Sequence, residues 1–484
     1  MKTETAILSA ALLTGCASFE AFQEGKFEAF PIAPDAPDAW AAAGVAGEAE
    51  TGDWLSGFND PTMATLVNEA LENNYTLAAQ VATVRAAAAD ALAERGNLLP
   101  FISGSVNAGG NRSVFENTFG DAVENDSATL GLGINASWEA DLWGRLARGV
   151  DIADTEAFIA EADLEAARLS VATQTAIAWI NLNAAIALER VAQDTFEART
   201  RVTELTERRF ARGLSTALDV RTARSALAGA EASIAFRQQA TGEAARRLEV
   251  LLGRYPSAEI DAPSTLPMLA PIERTSSPTL LLSRRPDIAS AEARVIQAGL
   301  RAEQARLALF PSLNITSSIS TSSSDDFAQA FDPAFIAAQA IGSLTQPLYA
   351  GGQLRARADG FVERAEIALA NYANSALVAW REVEDALAAD MFLATQERAQ
   401  ARALEEAAFA EELAERQYQN GLVSIFNLID AQTRRLDAEA SLVSARSNRA
   451  TNRVEYYLAL GGGLPISDAV TSSSAGRTGG SPTP

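Results

Sequence analysis

Glu207-Arg208-Arg209-Phe210-Ala211-Arg212-Gly213-Leu214 lies without a gap on Glu415-Arg416-Gln417-Tyr418-Gln419-Asn420-Gly421-Leu422, at an offset of 208. The same offset carries Ala230-Glu231-Ala232-Ser233 onto Ala438-Glu439-Ala440-Ser441. Upstream, with small length differences, Leu99-Pro100 corresponds to Phe310-Pro311 and Leu142-Trp143-Gly144 to Leu348-Tyr349-Ala350. A period this long marks a duplicated domain, not a solenoid unit of about 20–50 residues. One set of parts is therefore built twice.

Each copy has the same order of parts. A medium helix comes first, over 65–99 and 287–309; Leu66, Leu71, Leu77 and Val84 trace the helical period in the first copy. Segments of alternating polarity follow. Leu130, Leu132, Ile134, Ala136 and Trp138 alternate with Gly131, Gly133, Asn135, Ser137 and Glu139. Leu313, Ile315, Ser317 and Ile319 alternate with Asn314, Thr316, Ser318 and Ser320. A period of two gives strands with one apolar face. The polar stretches 111–127 and 322–334 read as hairpin connections.

A very long helix completes each copy. Val150 to Arg212 is 63 residues without Gly or Pro, and Phe361 to Asn420 is 60. At 1.5 Å per residue these helices reach roughly 90–95 Å. Gly213 and Gly421 end them, at positions where glycine adopts positive φ at little cost, and a return helix of about 40 residues follows each. The stripe Leu369, Tyr372, Ala376, Trp380, Val383, Leu387, Met391 advances about 3.7 residues per step, nearer an 11-residue repeat than a strict heptad. Such helices must pack side by side.

The 484 residues include 39 basic and 62 acidic ones, a net charge of −23, which disfavours nucleic-acid partners. There is no histidine, the commonest general base and metal ligand. Lys2 and Lys26 are the only lysines, so there is no GxxxxGK[ST] phosphate loop. One cysteine supports neither an internal disulfide nor a zinc cluster. These absences disfavour catalysis, and the expectation is a protein that is not an enzyme and uses no cofactor or metal.

The single cysteine follows a charged start and the apolar run Ala6-Ile7-Leu8-Ser9-Ala10-Ala11-Leu12-Leu13, the parts of a secretory signal. Leu13-Thr14-Gly15-Cys16 resembles the bacterial lipobox, which implies acylation of Cys16 as the new N-terminus. Ala17, not aspartate, comes next, and by the lipoprotein sorting rule this points to the outer membrane. The expected division is a signal over 1–15 and a lipidated tether over 16–60. The first repeat takes 61–255, a Pro-rich connector 256–286, the second repeat 287–460, and a disordered Gly/Ser/Thr/Pro tail 461–484.

No run of 18 apolar residues predicts a transmembrane helix, so any crossing must be made by strands. Four amphipathic strands cannot close a barrel, and open edges are intolerable in lipid. Three chains give twelve strands and twelve columns of helix. The predicted fold is thus a mixed α and β membrane protein, a trimeric 12-stranded β-barrel with four strands per chain on a long α-helical barrel. The rival is a structural periplasmic coiled-coil lipoprotein whose hairpins merely cap its helices.

Several segments carry a family resemblance. Trp54, Phe58, Asp60-Pro61, Ala70-Leu71 and Asn73-Asn74 fit one opening pattern, and Arg285-Pro286-Asp287 starts the second repeat. Gln346-Pro347-Leu348-Tyr349-Ala350-Gly351-Gly352 makes a strand-to-helix turn and Glu382-Val383-Glu384-Asp385-Ala386-Leu387 lies in the long helix. In this order, over roughly 50–463, the chain resembles a TolC-family outer-membrane efflux protein of the NodT-like lipoprotein branch. The resemblance implies a homotrimeric channel-tunnel in the Gram-negative outer membrane, with outer-membrane lipid around it. It implies two further partners, a periplasmic adaptor (membrane fusion protein) and an inner-membrane pump of the resistance–nodulation–division type. Export of small molecules is favoured over the alternative, the exit duct of a type I protein secretion system.

The same resemblance assigns sites. Arg212-Gly213-Leu214 and Asn420-Gly421-Leu422 match the tips that dock the adaptor, making Gly213, Leu214, Gly421 and Leu422 the docking residues. Asp219, Tyr418, Asn427 and Asp430 match the periplasmic gate, with Asn427 standing where many members have aspartate. Around a three-fold axis such acidic groups would concentrate negative potential at one pore.

Overall fold

A computed structural model of the chain describes residues 39–42, 54–116, 119–120, 122–269, 272, 277–324 and 327–462. The signal and the lipobox with Cys16 lie outside the described residues, as does the tail beyond Gly462. After a 3-10 turn at Trp54–Phe58 come α1 (Pro61–Asn73), α2 (Tyr75–Gly96), β1 (Phe101–Glu116) and β2 (Ala122–Ala140). The first hairpin of long helices is α3 (Arg145–Ala211) and α4 (Ala217–Leu251). The short α5 (Pro278–Arg284) leads to α6 (Pro286–Leu307), β3 (Ser312–Ser324), β4 (Ile336–Thr345), α7 (Gln353–Gln419) and α8 (Ile425–Ala459).

The expected single helix over 65–99 is broken at Asn74. Its side chain accepts from the N–H groups of Thr76 and Leu77 and so starts α2, while its Nδ2 donates to the Leu251 carbonyl at the end of α4, 2.8 Å away. The second copy repeats the joint: Arg285 stands at the N-cap of α6, and its Nη1 donates to the Ala459 carbonyl that ends α8, at 3.0 Å. The two joints keep the repeat register, since 285 − 74 = 311 − 100 = 211. Thus α2 stands end-on above α4, and α6 above α8. With the unbroken α3 and α7 they make a wall of four columns, in which α3 packs on all four short helices and α7 on α6 and α8.

Alanine sets the spacing of this wall. Ala160, Ala172, Ala176, Ala178, Ala184 and Ala192 are buried along α3, where a missing side chain lets neighbouring backbones approach. Larger groups gather at mid-height: Trp179, Ile180 and Leu182 pack with Met63, Val67, Leu248 and Val454. Fully burying an aliphatic side chain of this kind contributes about 1.5–3 kcal/mol. A second cluster joins Trp380, Val383 and Leu387 to Leu281, Ile288 and Trp40. The backbone N–H groups of Ala41 and Ala42 donate to the Glu384 carboxylate at 2.7 and 2.9 Å, so this part of the expected tether is pinned to α7. One 18-residue window of α3, with mean hydropathy 1.3, is long and apolar enough to span a membrane, contrary to the sequence expectation. Two-thirds of that window is covered by neighbouring helices, which accounts for its character as core.

The strands form one antiparallel sheet in the order β1-β2-β3-β4. Ile102 faces Ala136, Val106 faces Leu132 and Ile134 faces Ile319, so these residues share one apolar face with Trp138 and Ile315. The opposite face carries Ser103, Ser105, Asn107, Gly133, Asn135, Ser318 and Gln339, a polar lining that ends toward the helices at Glu139, which is ion-paired with Arg145. The first hairpin is longer than predicted, and most of 111–127 is strand, paired from Asn111–Ser127 to Glu116–Ala122. Backbone pairing needs no apolar side chains, and Arg112 adds a cross-strand ion pair to Glu124 at 2.5 Å. Among the described residues β1 and β4 have no further strand beside them, and β4 is exposed along its length. The flanking helices are open too: Ile367, Phe392 and Phe409 of α7 and Leu92 of α2, Leu218 and Phe236 of α4 are exposed.

Candidate functional site

Both long helices end in the same turn at the foot of the wall. The N–H of Leu214 donates to the Arg209 carbonyl and that of Gly213 to Phe210, each at 2.9 Å. Leu422 donates to Gln417 and Gly421 to Tyr418, at 2.9 and 3.0 Å. This double closure is the Schellman motif and requires a left-handed residue, supplied by Gly213 at φ 74° and Gly421 at φ 77°. Leu214 and Leu422 stand 62% and 74% exposed at the apex, so the tip offers apolar ends on a fixed backbone.

Just past each turn the two copies differ. Thr216 and Asp219 form a capping box that starts α4: the Thr216 hydroxyl accepts from the Asp219 N–H, and the Asp219 carboxylate accepts from the Thr216 N–H at 2.8 Å. The carboxylate also accepts from the Ser215 hydroxyl at 2.9 Å. The Thr216 backbone hydrogen bond, ahead of the two hydroxyls, holds the Asp219 carboxyl below its ordinary pKa. At the equivalent position Asn427 takes a hydrogen bond from the Ser424 hydroxyl at 2.6 Å, and α8 starts without a side-chain cap. Asp430 is exposed and pairs with Arg434 one turn on, at 2.9 Å. Among the described residues, no hydrogen bond or ion pair joins Asp219, Asn427 and Asp430 to one another: Asp219 and Asn427 are tied to their own helix starts and Asp430 to Arg434 within α8.

Tyr418 behaves differently. It is 4% exposed in a small core with Val202, Ala223, Ile425 and Leu428, drawn from all four helices of the two hairpins. Its hydroxyl lies 2.8 Å from Thr206 Oγ1 on α3. The Arg209 guanidinium sits 5.1 Å from the ring centre, and its Nη1 donates to the carbonyls of Tyr418 and Gln419, each at 3.1 Å. Higher up, Arg199 donates to Gln432 Oε1, Thr433 Oγ1 and the Ile429 carbonyl. Thr206, Arg209 and Arg199 carry the polar contacts between hairpins, and sequence reasoning did not select them. The signal was in the duplication, because their counterparts at the 208 offset are Ala414, Gln417 and Ala407.

Among the described residues no group of three or more His, Cys, Asp or Glu is placed to hold a metal. What the geometry offers is a polar strand lining above, a helical wall below, and a turn-and-hairpin tip at its end.

Comparison with known proteins agrees with that geometry. The family model described as outer membrane efflux protein matches residues 66–254 and 278–462, one stretch in each copy. The chain is 30% identical over 468 residues to the pyoverdine export outer membrane protein OpmQ of Pseudomonas aeruginosa, covering 96% of this chain and 97% of OpmQ. It is 27% identical to the crystal structure of CusC, with a TM-score of 0.78 over 89% of this chain and 98% of that one. For the open state of the Neisseria gonorrhoeae MtrE outer membrane channel the identity is 26% and the TM-score 0.77, over 91% and 98%. In this fold three chains assemble, each giving four strands to a twelve-stranded barrel, which supplies partners for the open edges of β1 and β4 and for the exposed flanks of α7 and α4. A sheet and a wall that are each complete only in threes, matched in both copies by one model, place the chain in the outer membrane efflux protein family.

Proposed function

We propose that the trimer is the passive exit duct of a tripartite pump, fed by a resistance–nodulation–division transporter through a periplasmic adaptor seated on the Gly213-Leu214 and Gly421-Leu422 turns. Members of the family are outer-membrane efflux channels of tripartite pumps in Gram-negative bacteria. Acylation of Cys16 adds a lipid anchor to the barrel, and each buried methylene contributes about 0.8 kcal/mol. Asp219, Tyr418, Asn427 and Asp430 belong to the region that narrows at the periplasmic end, Tyr418 from within its helix core.

The observation that carries this reading is the two-faced sheet. A spacer protein needs no apolar outer face on its strands, whereas a duct through lipid needs that face outside and a polar one inside. Apart from Glu139, which Arg145 neutralises at the helical end of the sheet, the inner positions of β1 to β4 are uncharged, suited to passing small solutes without binding them. Two relatives are named for small cargo, pyoverdine for OpmQ and cations for the efflux protein CusC, which favours small molecules over protein export. Purified trimers added to a planar bilayer should insert and give discrete conductance steps. A protein that runs as a trimer and never conducts would sink the duct reading and restore the spacer.

A further inference from the structure

We propose that chains recognise one another along a seam where α7 of one subunit packs on α2 of the next and Arg364 meets the partner's Asp90. Contacts within one chain set the order of the upper wall as α2, α3, α6, α7, so α2 and α7 are its open edges. The duplication fixes how those edges meet. Helices α3 and α7 are each 67 residues long at an offset of 208, and α2 and α6 are each 22 residues long at an offset of 211. The junction of α3 with α6 inside the chain is therefore the template for the junction of α7 with a partner's α2.

The open faces fit that template. On α6, Ser290, Ala293 and Gln297 are buried, while their counterparts on α2, Ala79, Ala82 and Ala86, are exposed at helical spacing. Ile159 and Leu169 are buried on α3, while Ile367 and Leu377 stand exposed on α7. Three ion pairs cross from α3 to α6: Arg148–Glu303, Asp163–Arg294 and Glu156–Arg301, at 3.0, 2.6 and 3.9 Å. At the two offsets the first becomes Ala356 with the partner's Leu92, and the second Asn371 with the partner's Thr83. The third becomes Arg364 with the partner's Asp90, since 156 + 208 = 364 and 301 − 211 = 90, an ion pair with its signs exchanged. Among the described residues Asp90 and Arg364 are exposed and neither has an ion pair in its own chain. The exchange gives the seam a direction. An α3 set against a partner's α2 would bring Glu156 to the partner's Asp90, and an α7 set against a partner's α6 would bring Arg364 to the partner's Arg301. Both place like charges together, so the α7–α2 seam alone pairs opposite ones.

Two measurements on full-length trimers test it. In the first, Asp90→Cys is combined with Arg364→Cys and treated with a short bifunctional thiol reagent. Because α2 and α7 of one chain lie at opposite edges of the wall, a link must join two chains, and covalent dimers and trimers should appear under denaturing conditions. Thr83→Cys with Arg364→Cys sets the thiols two turns out of register, about 10 Å along the axis, and should not link; nor should any single variant. Linking through Thr83 and not Asp90, or through neither, overturns the seam. In the second, Arg364→Glu and Asp90→Arg, alone and together, are followed by trimer dissociation in denaturing detergent. Each reversal places like charges at three seams, and about threefold at each compounds to about thirtyfold in the trimer. The double variant rebuilds the pair in the polarity of Glu156 with Arg301 and should recover most of the loss, which a packing defect would not allow. Single variants as stable as wild type, or a double variant without recovery, overturn the charge pairing. If a single reversal yields no trimer, recovery in the double variant decides by the same rule.

Discussion

Replacing Gly213 or Gly421 by alanine separates backbone shape from packing at the tip. An L-residue at φ 74° or 77° costs about 1–2 kcal/mol relative to its preferred regions. A Cβ on Gly213 meets nothing within 4 Å, so that variant carries the backbone cost alone. On Gly421 the Cβ reaches Arg209 Nη2 at 3.4 Å, ordinary contact that nonetheless crowds the guanidinium over the α7 carbonyls. Neither loss is large beside the burial along helices of 67 residues, so trimers should form at wild-type yield. The strain relaxes by unwinding the turn, which moves Leu214 or Leu422 from its fixed place. The assay is drug susceptibility in a host lacking its own channel, with the adaptor and pump co-expressed, beside trimer content in outer membranes. Efflux should fall in each single variant and further in the double one. Full resistance in all three, at normal trimer level, would refute the docking role of these turns.

Labelled palmitate should enter the wild type and not Cys16→Ser, and an unlabelled wild type would remove the lipid anchor while leaving the channel intact. Divalent cations added from the periplasmic side should lower conductance, and Asp430→Ala should lose most of that block. Identical titrations for the two proteins would take Asp430 out of the gate, where Arg434 already shares its charge. The depressed carboxyl of Asp219 contributes stability that is present above its ordinary pKa of 3.8 and is lost as the pH falls through its lower folded value. Hydrogen-exchange protection in the first turn of α4, taken relative to the intrinsic rate at each pH, should therefore fall as the pH drops below about 4 in the wild type, and Asp219→Asn should show no such step; the same acid step in the variant would refute the assignment.

The repeat, the long helices and the two glycine turns were legible because each is written locally, as period, as absence of Gly and Pro, or as a left-handed stop. The joint at Asn74 was not, because Leu66, Leu71 and Leu77 continue one helical period across it and the partner that fixes the break, Leu251, is 177 residues away. The length of the first hairpin was hidden for a related reason: its outer half pairs through backbone and through Arg112 with Glu124, and shows no apolar alternation. At the tip, resemblance supplied Asp219, Asn427 and Asp430, which the structure ties within their own helices, while Arg209 and Thr206 stood in plain view as the places where two copies of one sequence disagree. Comparing the repeats residue by residue, and asking what each difference touches, would have found them.

Two staves of each chain's wall are cut at mid-height and two are continuous. The cut staves, α2 on α4 and α6 on α8, meet at single side chains, Asn74 and Arg285, which hold the pieces end to end as pins rather than as rigid splices. Resistance to bending therefore resides in α3 and α7, each about 100 Å long. A lever of that length turns a small angle into a useful opening: moving its tip sideways by about 5 Å takes a tilt of only about 3° from the far end, well within the gentle curvature ordinary long helices show. The foot of the duct can then widen with the sheet held still and without unfolding a turn, the pins yielding at the waist while the long staves flex.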